Sequence, residues 1–186
     1  MRVIAGSRRS LKLITPEGLD TRPTQDRIKE TLFNVIQNEV PGSVFVDLFA
    51  GSGGIGIEAL SRGAKRAYLV DQSKLCEKCI QTNLRTTRFT EEAVYLKQDV
   101  FFALSSTIRE HADIIYMDPP YHMEYEKQVL SILSRNNKIA DEETLIIVEA
   151  SLDTDFSYLD SMGYDVIKEK TYKTNQHIFI RKRGNV

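Results

Sequence analysis

The sequence is poor in what metal sites, disulfide frameworks, membrane spans and disordered tails require. It has two cysteines and three histidines in 186 residues. Cys76 and Cys79 form a C-x-x-C pair, but a soft-metal site needs two more ligands, and His111, His122 and His177 are scattered. The pair falls in a helical apolar stripe with Leu75, Ile80 and Leu84, which predicts buried, reduced thiols in a reducing compartment. No apolar run approaches the roughly 18–20 residues that span a bilayer, and the arginine-bearing start lacks the apolar stretch of a secretory signal. A cytoplasmic protein with no membrane association, no metal and no obligate protein partner is expected. Ten glycines and five prolines are too few for a fibrous or disordered chain.

Net charge is also small, at −1, but it is unevenly spread. Arg2, Arg8, Arg9 and Lys12 precede any acid, and Arg181, Lys182 and Arg183 close the chain. Were the two ends to meet, they would form a basic face able to touch phosphates, although solvated cations are equally ordinary on a surface.

Apolar periodicity gives the order of elements. Residues 2–5 and 11–14 are β-prone runs about a basic turn and are expected to form a hairpin. Thr24 can cap a helix whose buried stripe is Ile28, Leu32, Val35 and Ile36. Strands are expected at 44–49, 67–70, 94–96, 114–117 and 145–148, and helices at 55–62, 73–85 and 125–133. Two final strands, 164–167 and 177–180, have no helix-length segment between them and should be antiparallel. Strand and helix in repeated alternation predict an α/β fold, a parallel sheet with helices on both faces. The expected division is an extension over 1–40 and the main domain over 41–186.

Ligands in such sheets bind beyond the carboxyl ends of the strands. Asp47, Asp71, Asp99 and Asp118 all fall at or just past predicted strand ends, so they share one edge. Gly51, Gly53 and Gly56 make a literal G-x-G-x-x-G, with Ala50 and Ser52 in the same turn and Asp71 twenty residues beyond Gly51. That loop suits a dinucleotide or S-adenosylmethionine. Asp47 separates them: it would repel a pyrophosphate, but it attracts an ammonium and a sulfonium with about 1–4 kcal/mol at ~4 Å. Asp71 can accept ribose hydroxyls in either case, with Gln72 beside it. Asp99 with the Val100 N–H can meet adenine, or Asp99 can simply cap a short helix.

Asp118-Pro119-Pro120-Tyr121 follows a buried strand, and its prolines stiffen the turn. The lone pair of an amino group on a nucleobase is delocalised into the ring and is a poor nucleophile. Two acceptors, the Asp118 carboxylate and the Pro119 carbonyl, can take its two hydrogens and free the lone pair for attack on a sulfonium methyl. Tyr121 can stack on the base, worth about 1–3 kcal/mol. The base must then be unpaired or flipped out.

With these motifs placed, the chain resembles the RsmD family of bacterial 16S ribosomal RNA guanine-N2 methyltransferases. The likeness runs nearly end to end through Arg2–Gly6, Arg22–Asn34 (RPTQDRIKETLFN), Asp47–Gly53, Glu58–Ala64 and Asp118–Tyr121. It implies a Rossmann-like class I methyltransferase, with a seven-stranded, mostly parallel sheet whose final strand is reversed, and an N-terminal hairpin. It also implies S-adenosylmethionine as donor, S-adenosylhomocysteine as product, and the small ribosomal subunit as partner. Position by position it gives cofactor roles to Asp47, Gly51, Gly53, Asp71 and Asp99. It gives the guanine to Asp118–Tyr121 and the methionine end of the pocket to Arg22 and Thr24. RNA contacts are expected at Arg2, Arg8, Arg9, Lys12 and Arg22. The chain departs from the family at Arg9-Ser10-Leu11, usually basic-Gly-basic, and at Tyr172-Lys173, usually Tyr-Gly. Both departures fall where RNA contacts are expected.

Three other readings remain open on residues alone. An amino methyltransferase of DNA adenine or protein glutamine shares the chemistry, although the glutamine enzymes tend to carry Asn at position 118 and about 40 extra residues are few for reading DNA sequence. A dinucleotide-dependent oxidoreductase leaves the DPPY stretch unexplained. A non-enzymatic RNA-binding module would not need Asp118.

Overall fold

A computed structural model describes residues 1–16 and 23–184, with the side chains of 23–25 excluded. Seven strands form one sheet: β1 (Val44–Leu48), β2 (Arg66–Val70), β3 (Ala93–Leu96), β4 (Ile114–Met117), β5 (Leu145–Ser151), β6 (Tyr164–Thr171) and β7 (Asn175–Lys182). Their order is β3-β2-β1-β4-β5-β7-β6. β1 to β5 pair in parallel, and β7 runs antiparallel to both β5 and β6. The α/β class and the reversed last strand therefore stand as expected. β1 and β4 are buried along their whole length, which is why they read as continuous apolar runs.

The helices are α1 (Pro23–Val35), α2 (Gly54–Ser61), α3 (Lys74–Thr87), a single turn α4 (Val100–Phe102) that widens into a π-helical turn over Ala103–Thr107, and α5 (Tyr125–Ser134). They cover the sheet in two layers. Phe33, Leu32, Ile57 and Ile80 pack with Phe45, Leu69 and Ile147 on one face; Val129, Leu133 and Leu104 pack with Val46, Ile115 and Val148 on the other. α3 starts where Ser73 accepts the Leu75 N–H at 3.2 Å, and it buries Cys79 on its apolar stripe.

The expected N-terminal hairpin does not form. The two runs meet in a single antiparallel bridge, Arg2 with Lys12, around a 3-10 turn at Gly6–Arg8. The physical reason is competition for donors. Glu58 of α2, fully buried, accepts the N–H groups of Ile4 (2.7 Å) and Ala5 (3.0 Å), and the Ala5 donor is the one the ladder would have needed next. The segment is a strap rather than a ribbon. Lys29 donates to the Arg2 carbonyl at 2.7 Å, and Asn83 of α3 both accepts from and donates to the Ile14 backbone at 2.9 Å. Gly6 has φ +81°, and a Cβ there would lie 1.8 Å from the Ser61 carbonyl oxygen, so no other residue fits against α2.

Strand order reverses between β1 and β4. From β1 the chain winds outward to β2 and β3, then returns to β1's other side as β4. The crevice at that reversal lies between the turn after β1 and the turn after β4, the two turns that hold the glycines and the DPPY stretch.

Candidate active site

The turn after β1 is shaped by positive-φ residues, Phe49 (φ 69°), Gly51 (φ 56°) and Gly53 (φ 78°), with Gly53 capping α2. Asp71, just past β2, holds this turn: its Oδ2 accepts the Gly51 N–H and its Oδ1 the Ser73 N–H, each at 2.8 Å. Asp47 lies inside β1, fully buried, and Oδ2 accepts the Gly56 N–H at 3.0 Å. Its Oδ1 has no hydrogen-bond partner among the described residues. Burial, with a smaller push from Asp71 and against the pull of the Gly56 N–H, raises the Asp47 pKa to about 8. Such a carboxyl is poised for a cation. The ammonium of a methionine moiety is the right charge for it, so the residues present fit S-adenosylmethionine.

Three cavities adjoin here, and Asp118 lines each of them. The largest, about 610 Å³, brings together Gly51, Asp71, Gln72, Asp99, Val100 and the whole of Asp118–Tyr121. A second, about 250 Å³, is lined by Asp47, Ala50, Gly51 and Ser52 beneath Met1, Thr15 and Pro16 of the strap. The third, about 140 Å³, lies between α1 and the sheet. Asp99 caps α4, its Oδ1 accepting the N–H groups of Phe101 (2.9 Å) and Phe102 (3.2 Å), and it also lines the large cavity. Gly53 shapes the turn without lining these cavities. Arg22 and the Thr24 side chain lie outside the described residues.

Several site residues had no part in the sequence reading. Phe49 and Tyr125 line the large cavity, stacked with centroids 6.0 Å apart, and Phe101 meets Tyr125 edge-on. Cys76, which the sequence reading expected to be buried like Cys79, is only partly buried and faces this cavity, and burial pushes its thiol pKa up. Behind Asp118 lies a polar cluster on β4, β5 and β7. Glu149 Oε2 accepts from the Tyr116 hydroxyl at 2.6 Å and from His177 Nε2 at 2.8 Å; Asn175 donates to Oε1, and Tyr172 contacts His177 Nδ1 at 3.2 Å. Burial works against the Glu149 charge, but these donors outweigh it and hold the carboxyl below its ordinary range. Asp118 goes the other way. It reaches water through the cleft yet is ringed by protein, and this crowding together with Glu149 and Asp47 raises its pKa well above normal. One signal could have found Glu149: it follows the predicted 145–148 strand just as Asp118 follows its own.

The basic residues divide. Arg2 and Arg9, with Arg27 of α1, line a surface cavity of about 440 Å³ that also holds Asp26 and Glu30. Lys12 is exposed. Arg8 is turned inward, donating to the Thr87 carbonyl at 2.7 Å with its guanidinium 5.1 Å from the Phe89 ring centre. At the far end Arg181 pairs with Glu39 (2.9 Å), Arg183 with Asp165 (2.7 Å), and Lys182 donates to the Leu133 and Ala140 carbonyls. Those three cations are paired within the protein, as Arg2 is with Asp26 at 3.4 Å.

The family model described as "Conserved hypothetical protein 95" matches residues 1–181. Ribosomal RNA small subunit methyltransferase D of Haemophilus influenzae is 36% identical over 92% of this chain and 88% of its own length. YlbH of Bacillus subtilis is 34% identical over 99% of this chain and 100% of its own. The solved structure of yhhF from Escherichia coli superposes with a TM-score of 0.83 at 28% identity, covering 100% of this chain and 99% of that one.

Proposed function

The chain belongs to the RsmD-like family, and from that premise we propose that it methylates the exocyclic N2 amino group of one guanine in the 16S ribosomal RNA of the small subunit. S-adenosylmethionine, the family's donor, supplies an electrophilic sulfonium methyl. Asp71 takes the ribose hydroxyls, with Gln72 beside it. Asp99 and the Val100 N–H take the adenine. Asp47 takes the ammonium over the turn of Ala50, Gly51, Ser52 and Gly53, and Arg22 and Thr24 close that end.

The observation that carries the reading is the position of the DPPY turn, stiffened by Pro119 and Pro120, where the three cavities meet beside the glycine turn. Asp118 and the Pro119 carbonyl accept the two amino hydrogens and leave the nitrogen lone pair facing the methyl. Tyr121, partly exposed at the cleft mouth, stacks on the base. The proton lost by the methylated nitrogen passes to Asp118, whose surroundings favour its protonated form. Residues 1–40 serve as cofactor lid and RNA contact, with Arg2, Arg9 and Lys12 outward.

The test offers labelled donor with 30S particles, free 16S ribosomal RNA, duplex DNA and protein. Label is expected in RNA, recovered as N2-methylguanosine after digestion. Label confined to DNA or protein refutes the reading.

A further inference from the structure

The third cavity is lined by Tyr116, Asp118, Glu149 and His177 from the sheet, and by Met1 and Lys29 above it. Its two carboxylates are neighbours by construction. Met117 of β4 pairs with Val148 of β5, so Asp118 and Glu149 are next in register, on strands about 4.8 Å apart, and they project to the same face. Glu149 is in turn opposite His177 in the β5–β7 register.

The hydrogen-bond inventory of Glu149 leaves one opening. Oε2 is filled by Tyr116 and His177, whereas Oε1, among the described residues, accepts only from Asn175 and keeps a second lone pair. Asn175 Oδ1 is buried and unbonded among the described residues. Lys29, the cation on the cavity wall, is occupied by the Arg2 carbonyl and Glu58. The Glu149 side chain is 14% exposed, enough to meet a ligand edge but not to be dissolved by water.

A second fixed anion beside the amino-group acceptor discriminates between bases. In guanine the amino group is flanked by a ring N1–H, a donor. In adenine and cytosine the ring nitrogen beside the amino group on that edge is an acceptor, which a carboxylate repels. Resting on the guanine reading above, we propose that Glu149 determines base specificity by accepting the guanine N1–H while Asp118 and Pro119 take the N2 hydrogens. His177 is a positioning residue, its Nε2–H fixing the Glu149 carboxylate from the opposite strand.

The experiment compares wild type and Glu149→Gln on 30S particles reconstituted with either guanine or 2-aminopurine at the position the wild type methylates. 2-Aminopurine keeps the amino group but has an acceptor at N1. Wild type is expected to favour guanine by about 100-fold or more in kcat/KM. Glu149→Gln, whose amide can donate to N1, should lose guanine transfer and narrow or reverse that ratio, with S-adenosylhomocysteine affinity by calorimetry kept within a few-fold. A merely structural Glu149 would lower both bases together. Equal use of the two bases by wild type overturns the proposal even if the variant fails to fold, as does an unchanged ratio in a folded variant. Wild-type transfer that never reaches a guanine amino group sinks the functional reading instead.

Discussion

Replacing Asp47 with Asn isolates the energetic cost of holding a cation site ready. Asp47 is fully buried, with one oxygen unbonded among the described residues, and its carboxyl is pushed up to about 8 against an unfolded value near 3.8. The folded state therefore holds a proton that the unfolded chain has released. This group's contribution to stability is complete below the unfolded value and is lost as pH rises through about 8. Each pH unit in that window is worth about 1.4 kcal/mol, so between pH 5 and pH 7 wild type should lose about 3 kcal/mol relative to Asp47→Asn. Urea unfolding of both proteins at the two pH values measures the double difference and removes every titration they share. The same proton should leave when the ligand's ammonium arrives. Between pH 6 and pH 7 the affinity of wild type for S-adenosylhomocysteine should rise about tenfold with release of about one proton, read by calorimetry in buffers of different ionisation heat. Asp47→Asn should bind weakly and without that pH dependence. A stability difference that does not change between pH 5 and 7, together with pH-independent wild-type binding, would refute the reasoning.

Asp118→Ala should abolish methyl transfer while S-adenosylhomocysteine affinity stays within a few-fold; loss of cofactor binding would mark Asp118 as structural. Glu58→Gln strips the charge that Lys29 (3.5 Å) and Arg62 (2.8 Å) share and weakens the acceptors of Ile4 and Ala5. It should cost about 3 kcal/mol or more in denaturant unfolding and speed amide exchange at residues 4 and 5. Gly56→Ala sets a Cβ 2.1 Å from Leu69 Cδ2 and forces that flexible side chain aside, so about 1–3 kcal/mol of stability should be lost, read by thermal unfolding. Arg9→Glu should raise KM for 30S particles several-fold and leave S-adenosylhomocysteine affinity unchanged, which steady-state kinetics and calorimetry separate.

The sheet was legible because its strands are short apolar runs broken by acids and glycines, and burial on both faces leaves little ambiguity in a segment such as Ile114–Met117. The acids at strand ends were legible through the rule that ligands bind past the carboxyl edge. What escaped were interactions set by side chains far apart in sequence. The strap at residues 1–16 has β propensity, yet Glu58 and Asn83 take its backbone groups, and nothing local to positions 2–5 announces a carboxylate from α2. Arg8 looked like its neighbours until Thr87 and Phe89 were brought beside it. His177 was read only as a scattered histidine, because its meaning depends on a pairing register between β5 and β7 that spacing does not encode.

The insertion of β7 between β5 and β6 ties completeness of the chain to competence. Among the described residues β6 has β7 as its sole strand neighbour, and two of the three donors to Glu149, Asn175 and His177, arrive on β7. A ribosome releasing a product that stops short of residue 175 would leave β5 with a naked edge and an acid with one donor. Such a fragment would keep Asp118 and Pro119 on the turn after β4 and lose the donors that fix Glu149 beside them.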